Sequence, residues 1–519
     1  MIKYTFLLSA LFTFSFLFGQ GKAPANWYLK DPIKDKIYGV GAEEAYKLLI
    51  GKKAQEVIVA VIDSGVDTEH PDLKEVLWVN EDEIPGNGID DDKNGYIDDV
   101  HGWSFLGGPG GDIGEESSEL SRMYYSDKVY FMDVDTNSLP ASEMTRYKKF
   151  KEIEAIFLAE KVSAQRQMEG ITALSNYMEA VKQEKGSFTK STNKSYKPKN
   201  EIEQKIKSRM KVILMAYKPE FLEKEIGTMV ANSQQNADKV VNDSLRIALV
   251  GDNPRDMTEK YYGCNRYKGP DAMHGTHVSG IIAAKRGNGI GIEGIAENAR
   301  IMVVRVVPNG DERDKDIANG IYYAVDNGAK VINMSFGKYY SPNQEVIDAA
   351  VRYANEHDVL LLHAAGNESK NKDLQDSYPT RKFMNGEIAT NWIEVGASSS
   401  SKDSKKLLAE FSNYGATTVD LFAPGVDLYS TIPDANYGDA SGTSMACPAA
   451  AGVAAMIRGY FPSLTATEVR ELLMKTAIRY DKVITIPGGA TSGKMTDVSI
   501  SGGFINAASA VRFLLQEQK

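Results

Sequence analysis

The chain predicts an α/β fold built on a mostly parallel sheet, and three observations carry that expectation. Continuous apolar, β-branched runs recur along the sequence, helical stretches separate them, and polar residues stand where the runs end. Such runs read as parallel strands buried on both faces, whereas alternation would mark one solvated face. Strands alternating with helices imply crossover connections, and hence a parallel sheet.

The first run spans 56–63 and ends in an acid, Asp63. Further runs lie at 300–306, 330–335 and 359–365, with a shorter one at 392–397. Helical spacing fills 316–327 and 343–356, and a short helix is expected over 43–49. Asp63, Ser335 and the turn after Ala365 mark C-terminal strand ends, the edge where open α/β sheets carry their active sites.

Between the first run and the second the character changes. Phe150, Ile153, Phe157, Ala164, Met168, Ile171, Met178 and Val181 keep the three/four spacing of one helical stripe. A second stripe runs through Ile202, Ile206, Met210, Ile213 and Tyr217. The stretch 186–200 between them, rich in Lys, Ser and Thr, reads as an exposed loop. Residues 112–245 are therefore expected to form a hairpin-like helical insertion.

Composition narrows the class. With 42% hydrophobic and 25% charged residues over 519 positions, the chain is of ordinary globular type. A net charge of −10 argues against nucleic acid as a partner, since phosphate binding needs a basic surface. Residues 1–20 read as a signal peptide: Lys3 supplies the positive region, and an apolar stretch from Tyr4 to Phe18 ends near Gly19-Gln20. No cysteine follows to carry a lipid, and no other run approaches spanning length. Export without an integral membrane span is the expectation. Cys264 and Cys447 are read as two packed thiols, although a bridge between them stays open.

Acyl transfer by a hydroxyl needs a base to take its proton and a third group to hold that base in one tautomer. Three segments offer those parts: Val61-Ile62-Asp63-Ser64-Gly65, His274-Gly275-Thr276-His277-Val278-Ser279-Gly280, and Gly442-Thr443-Ser444-Met445-Ala446. Ser444 opens a helix of small residues, whose N-terminal N–H groups favour an oxyanion. Taken alone, the same serine also fits a helix cap. Ala364-Ala365-Gly366-Asn367 adds a side-chain amide after a strand, a donor suited to an oxyanion.

In their order Asp, His, Ser, these motifs resemble those of subtilisin-like serine proteases (subtilases), over about 55–111 and 247–515. The resemblance implies a three-layer fold, with a catalytic domain at 56–111 and 246–515 behind a short lead-in at 21–55. It implies an endopeptidase acting on protein or peptide substrates, with Ser444 as nucleophile, His274 as base and Asp63 as its orienting acid. Asn367 and the Ser444 N–H would form the oxyanion hole. Ser335, Phe336 and Gly337 would pair with an extended substrate, and Ala365, Gly366, Glu368 and Ser377 would line its main pocket. Glu368 fits either a preference for basic substrates or a solvated rim. Leu421–Gly425 and Gly503–Ala507 match structural signatures of the family. By the same resemblance His277 is structural and Asp67 bonds or binds an ion; His363, on the strand before Asn367, reads as a packed core residue and not a catalytic one.

Two departures stand out. Asp63 and His274 are 211 positions apart because the insertion lies between them, and the lead-in is too short for the usual inhibitory prodomain. The insertion reads as a packing decoration or, given its position between two catalytic residues, as a part that takes on folding or restraint, a role that unchanged folding yield and peptide hydrolysis after deletion of 140–240 would exclude. The other reading of the whole chain is a catalytically silent binding scaffold of the same fold.

One further pattern lies apart from the triad. Asp90, Asp92, Asn94, the Tyr96 carbonyl and Asp98 alternate along 90–98 as in the first part of an EF-hand-type loop, predicting a structural calcium site. The closing bidentate Glu is missing, since the twelfth position is His101.

Overall fold

The computed structural model describes residues 23–135, 138–216, isolated positions between 218 and 230, and 243–517. The expected signal peptide and Tyr217 lie outside the described residues. The chain divides into two compact units, Lys22–Glu119 with Asn242–Lys519, and one that includes Leu120–Val241.

The larger unit is built on a nine-stranded sheet. Its strands, in chain order, are β1 (Val57–Asp63), β2 (Gly102–Ser104), β3 (Ala299–Arg305), β4 (Val331–Met334), β5 (Leu360–Ala364), β6 (Trp392–Ser398) and β7 (Leu421–Pro424). A hairpin of β8 (Leu428–Ile432) and β9 (Asn436–Ala440) stands apart, before β10 (Ile478–Arg479) and β11 (Gly503–Phe504). The spatial order is β10-β11-β7-β6-β5-β4-β1-β3-β2, and only the β10–β11 pair is antiparallel.

The apolar runs explain this placement. In β1, Val57, Val59 and Val61 enter the core on one side of the sheet, while Ala60 and Ile62 enter the core on the other. Helices α1 (Ala42–Leu48), α7 (Met273–Ala283), α10 (Thr443–Tyr460), α11 (Ala466–Lys475) and α12 (Ala507–Glu517) cover the first side, and α8 (Asp314–Asp326) and α9 (Gln344–Glu356) cover the second. The result is three layers, as expected. The two signature segments meet as neighbouring strands, with Phe422 opposite Phe504.

The smaller unit holds α2 (Glu119–Phe131) from its second residue on, then α3 (Ala141–Lys185), α4 (Lys190–Ser195) and α5 (Glu201–Ala216). The apolar stripe of α3 is used in two pieces. Phe150 and Ile153 are buried near Tyr124 and Phe131, whereas Leu174, Tyr177, Met178 and Val181 pack with Ile206, Met210 and Leu214 of α5. The stretch 186–200 departs from the exposed loop expected of it. Thr189 caps α4 with a capping box, Phe188 and Tyr196 are buried, and Asn193 accepts a 2.6 Å hydrogen bond from the Tyr177 hydroxyl. Its Lys and Ser content is real, but two aromatics and one cap decide the outcome.

The chain leaving the sheet and the chain returning to it are gripped by buried ions within the larger unit. Arg313 binds Glu116 at 2.9 Å on the outgoing side and Asp243 at 3.1 Å on the returning side. Arg246, in α6 (Asp243–Val250), is fully buried between Asp252 at 2.9 Å and Asp316 of α8 at 2.8 Å. Lys338 reaches Glu119 and Asp314, each at 2.7 Å. Among the described residues no helix is long and apolar enough to cross a membrane.

Candidate active site

Asp63 ends β1 at the carboxyl edge of the sheet, buried, with its Oδ1 accepting from the Ser64 N–H. His274 lies in the first turn of α7, and its Nδ1 is 2.7 Å from the same Oδ1. The glycines of the two motifs make this approach possible. A Cβ at Gly275 would stand 2.2 Å from the Gly65 carbonyl, and Gly65 itself holds φ +118° with no room for a Cβ beside Lys268. Burial works against charge on His274, but the adjoining Asp63 carboxylate outweighs it and lifts the imidazole above its usual value of 6.5.

His277, one turn on, is fully buried and makes different contacts. Its Nε2 meets the carbonyls of Leu428 and Gly438 at 3.1 Å, joining α7 to the hairpin, and burial pushes its pKa down to about 4. Asp67 takes the Asp434 N–H and the Lys268 ammonium.

Ser444 is the second residue of α10, so its N–H has no carbonyl four residues back and faces outward at the positive end of the helix. Its Oγ donates to the Ser335 carbonyl at 3.0 Å, and Ser335 Oγ donates to the Ser444 carbonyl at 3.0 Å. Asn367 turns its Oδ1 to the N–H and hydroxyl of Thr443, at 2.8 and 3.0 Å, which orients its amide nitrogen the other way.

One cavity brings Ser444 and Asn367 together with the expected substrate-binding residues, while Asp63 and His274 are not among its lining. Ser335, Phe336, Gly337, Ala365, Gly366, Asn367, Glu368, Ser377 and Ser444, all named from sequence, line it together. Lys338, Tyr339, His363, Asn413 and Thr443 also line it and were not foreseen as pocket residues. Glu368 is exposed, and its Oε2 accepts from Asn413 at 2.7 Å. Cys264 and Cys447 are free thiols, and burial pushes both pKa values up.

In the 90–98 loop, carboxylate oxygens of Asp90, Asp92 and Glu83 lie within 4.8 Å of one another. Glu83 precedes the loop pattern and was not foreseen. The Asp98 carboxylate accepts from the N–H groups of Asn87 and Gly88, and the Asn94 amide donates to Asp92 and Asp99. Clustered hard oxygens of this kind suit calcium.

A family model described as "Subtilase family" matches residues 54–504. The "Cell wall-associated protease" of Bacillus subtilis (strain 168) is 39% identical over 237 residues, covering 45% of this chain and 24% of that protein. The "Thermophilic serine proteinase" of Bacillus sp. (strain AK1) is 41% identical over 206 residues, 39% of this chain and 46% of its own. "Thermitase" of Thermoactinomyces vulgaris is 34% identical over 306 residues, 57% of this chain and 98% of its own. The match thus spans less than half the length of the first two relatives.

Proposed function

Because the chain belongs to the subtilase family, we propose that it is an exported serine endopeptidase that hydrolyses peptide bonds through an acyl-enzyme. The observation that carries this reading is the 2.7 Å hydrogen bond from His274 Nδ1 to the buried Asp63. It fixes the tautomer in which Nε2 is free to take the Ser444 proton. A substrate strand laid along Ser335–Gly337 presents its carbonyl to Ser444 Oγ. The developing oxyanion takes hydrogen bonds from the Ser444 N–H and the Asn367 amide, and His274 returns its proton to the leaving amine. Water then repeats the sequence on the ester. Export rests on the signal-peptide reading of residues 1–20.

Calcium, when bound, supplies a rigid cross-link between segments of the 83–98 loop; Glu83, Asp90 and Asp92 would hold it. Asp98 and Asn94 support the loop from within by the hydrogen bonds described above.

Hydrolysis of denatured casein by the full chain and by Ser444→Ala tests the enzymatic reading. Loss of cleavage in the variant is expected. Equal behaviour of the two proteins would leave the binding scaffold as the function.

A further inference from the structure

The floor of the cavity beside Ser444 holds a buried polar group that the triad does not use. His363, on β5, is only 1% exposed, and its ring lines the same cavity as Ser444 and Asn367. Its Nδ1 lies 3.0 and 3.1 Å from the two carboxylate oxygens of Glu394, its register partner on β6. Its Nε2 is buried and has no hydrogen-bond partner. A Cβ placed on Gly337 would sit 3.5 Å from that nitrogen, so Nε2 faces the wall formed by the substrate-pairing segment.

The surroundings fix which nitrogen carries a proton. Glu394 receives donors from Lys372, from Trp392 Nε1 at 2.9 Å and from His363 Nδ1. An ionised Glu394 therefore accepts the Nδ1 hydrogen, and one ammonium and one carboxylate already cancel. A neutral His363 adds no charge to this buried group and leaves Nε2 as an acceptor. Ser377 stands in the same cavity, and its Oγ accepts from Lys372, so its own hydrogen is left to donate into the cavity.

We propose that this floor selects a glutamine side chain at the residue whose carbonyl Ser444 attacks. The carboxamide matches both groups at once: its NH₂ donates to His363 Nε2, and its oxygen accepts from Ser377. An apolar side chain of the same length leaves Nε2 buried and unpaired, which costs affinity. A basic side chain meets the Lys372 ammonium behind the floor, while the Glu368 carboxylate, exposed in the same cavity, is already engaged by Asn413. This inference rests on the endopeptidase reading.

The test is kcat/KM for the full chain on matched peptide p-nitroanilides with Gln, Glu, Met or Lys next to the scissile bond. Gln is expected to exceed Met and Lys by at least tenfold. His363→Leu and Ser377→Ala should each reduce the Gln-to-Met ratio at least fivefold, the loss in kcat/KM falling more heavily on Gln than on Met. Met equal to or above Gln in the wild type, or Glu above Gln, overturns the assignment. A Gln-to-Met ratio unmoved by either substitution overturns it as well. Absence of cleavage on all four peptides and on casein is the separate failure of the endopeptidase reading.

Discussion

Asp63 Oδ1 and His274 Nδ1 lie 2.7 Å apart across 211 positions of sequence, which include every described helix of the smaller unit. The bond joins a buried strand end to the first turn of a helix, so it sets tautomer and ring direction together.

Asp63→Asn keeps the shape but offers the wrong partner to Nδ1, and kcat is expected to fall by about 10⁴. Steady-state kinetics on a peptide substrate at saturating concentration reads this directly.

The pH dependence has a definite sign. His274 acts as base only when neutral, so activity should rise with pH through a value above 6.5, the direction in which Asp63 moves it. The stability contributed by the pair is complete below the unfolded value of about 6.5 and is lost as pH rises through the higher folded value. A pH–kcat/KM profile whose lower limb falls below 6.5 would contradict the geometry.

Asn367→Ala removes the proposed oxyanion donor together with its two hydrogen bonds from Thr443, whose hydroxyl still accepts from the Gly366 N–H. The expected loss is about 10²–10³ in kcat with KM nearly unchanged. A change confined to KM would assign Asn367 to ground-state binding.

Calcium should raise the melting temperature of the wild type, and EDTA should lower it after prolonged incubation. In Glu83→Gln with Asp90→Asn the response to calcium should disappear, because two of the three clustered carboxylates have lost charge. Calorimetry with and without calcium checks it, and an unchanged response in the double variant would remove the loop as the site.

Lys338 directly follows Ser335–Gly337, the segment proposed to pair with substrate, and its buried ammonium faces Asp314 and Glu119. Lys338→Met takes away one partner of a buried pair, so a loss of about 3–5 kcal/mol in unfolding free energy is expected. Urea denaturation measures it, and a rise in KM should accompany it as Ser335–Gly337 loses its anchor.

Much of the fold was legible because β1, β3, β4 and β5 are buried on both faces and announce it in their residues. The candidate triad stood out because glycines and small residues surround each member, and the packing at Gly65 and Gly275 gives the physical reason for those glycines. The pocket floor was not. His363 and Glu394 each look like a lone polar residue in an apolar strand, and only the register of β5 on β6 makes them partners. Arg246, Lys315 and Lys338 read as surface charges until their acids arrive from distant segments. Glu83 was hidden because it stands outside the alternating loop pattern. The stretch 186–200 misled by composition, which gives Lys and Ser equal weight with the two aromatics that actually set its burial.

Arg313 has a consequence for how such a chain can change over generations. It holds Glu116 of the outgoing strand of chain and Asp243 of the incoming one, so the gap between them is set by the larger unit alone. Closing a longer or shorter branch across a fixed gap costs little, about 0.6 kcal/mol for each doubling of length. The position behaves as a socket: what is plugged in can be enlarged, trimmed or exchanged while Asp63 and His274 keep their 2.7 Å approach.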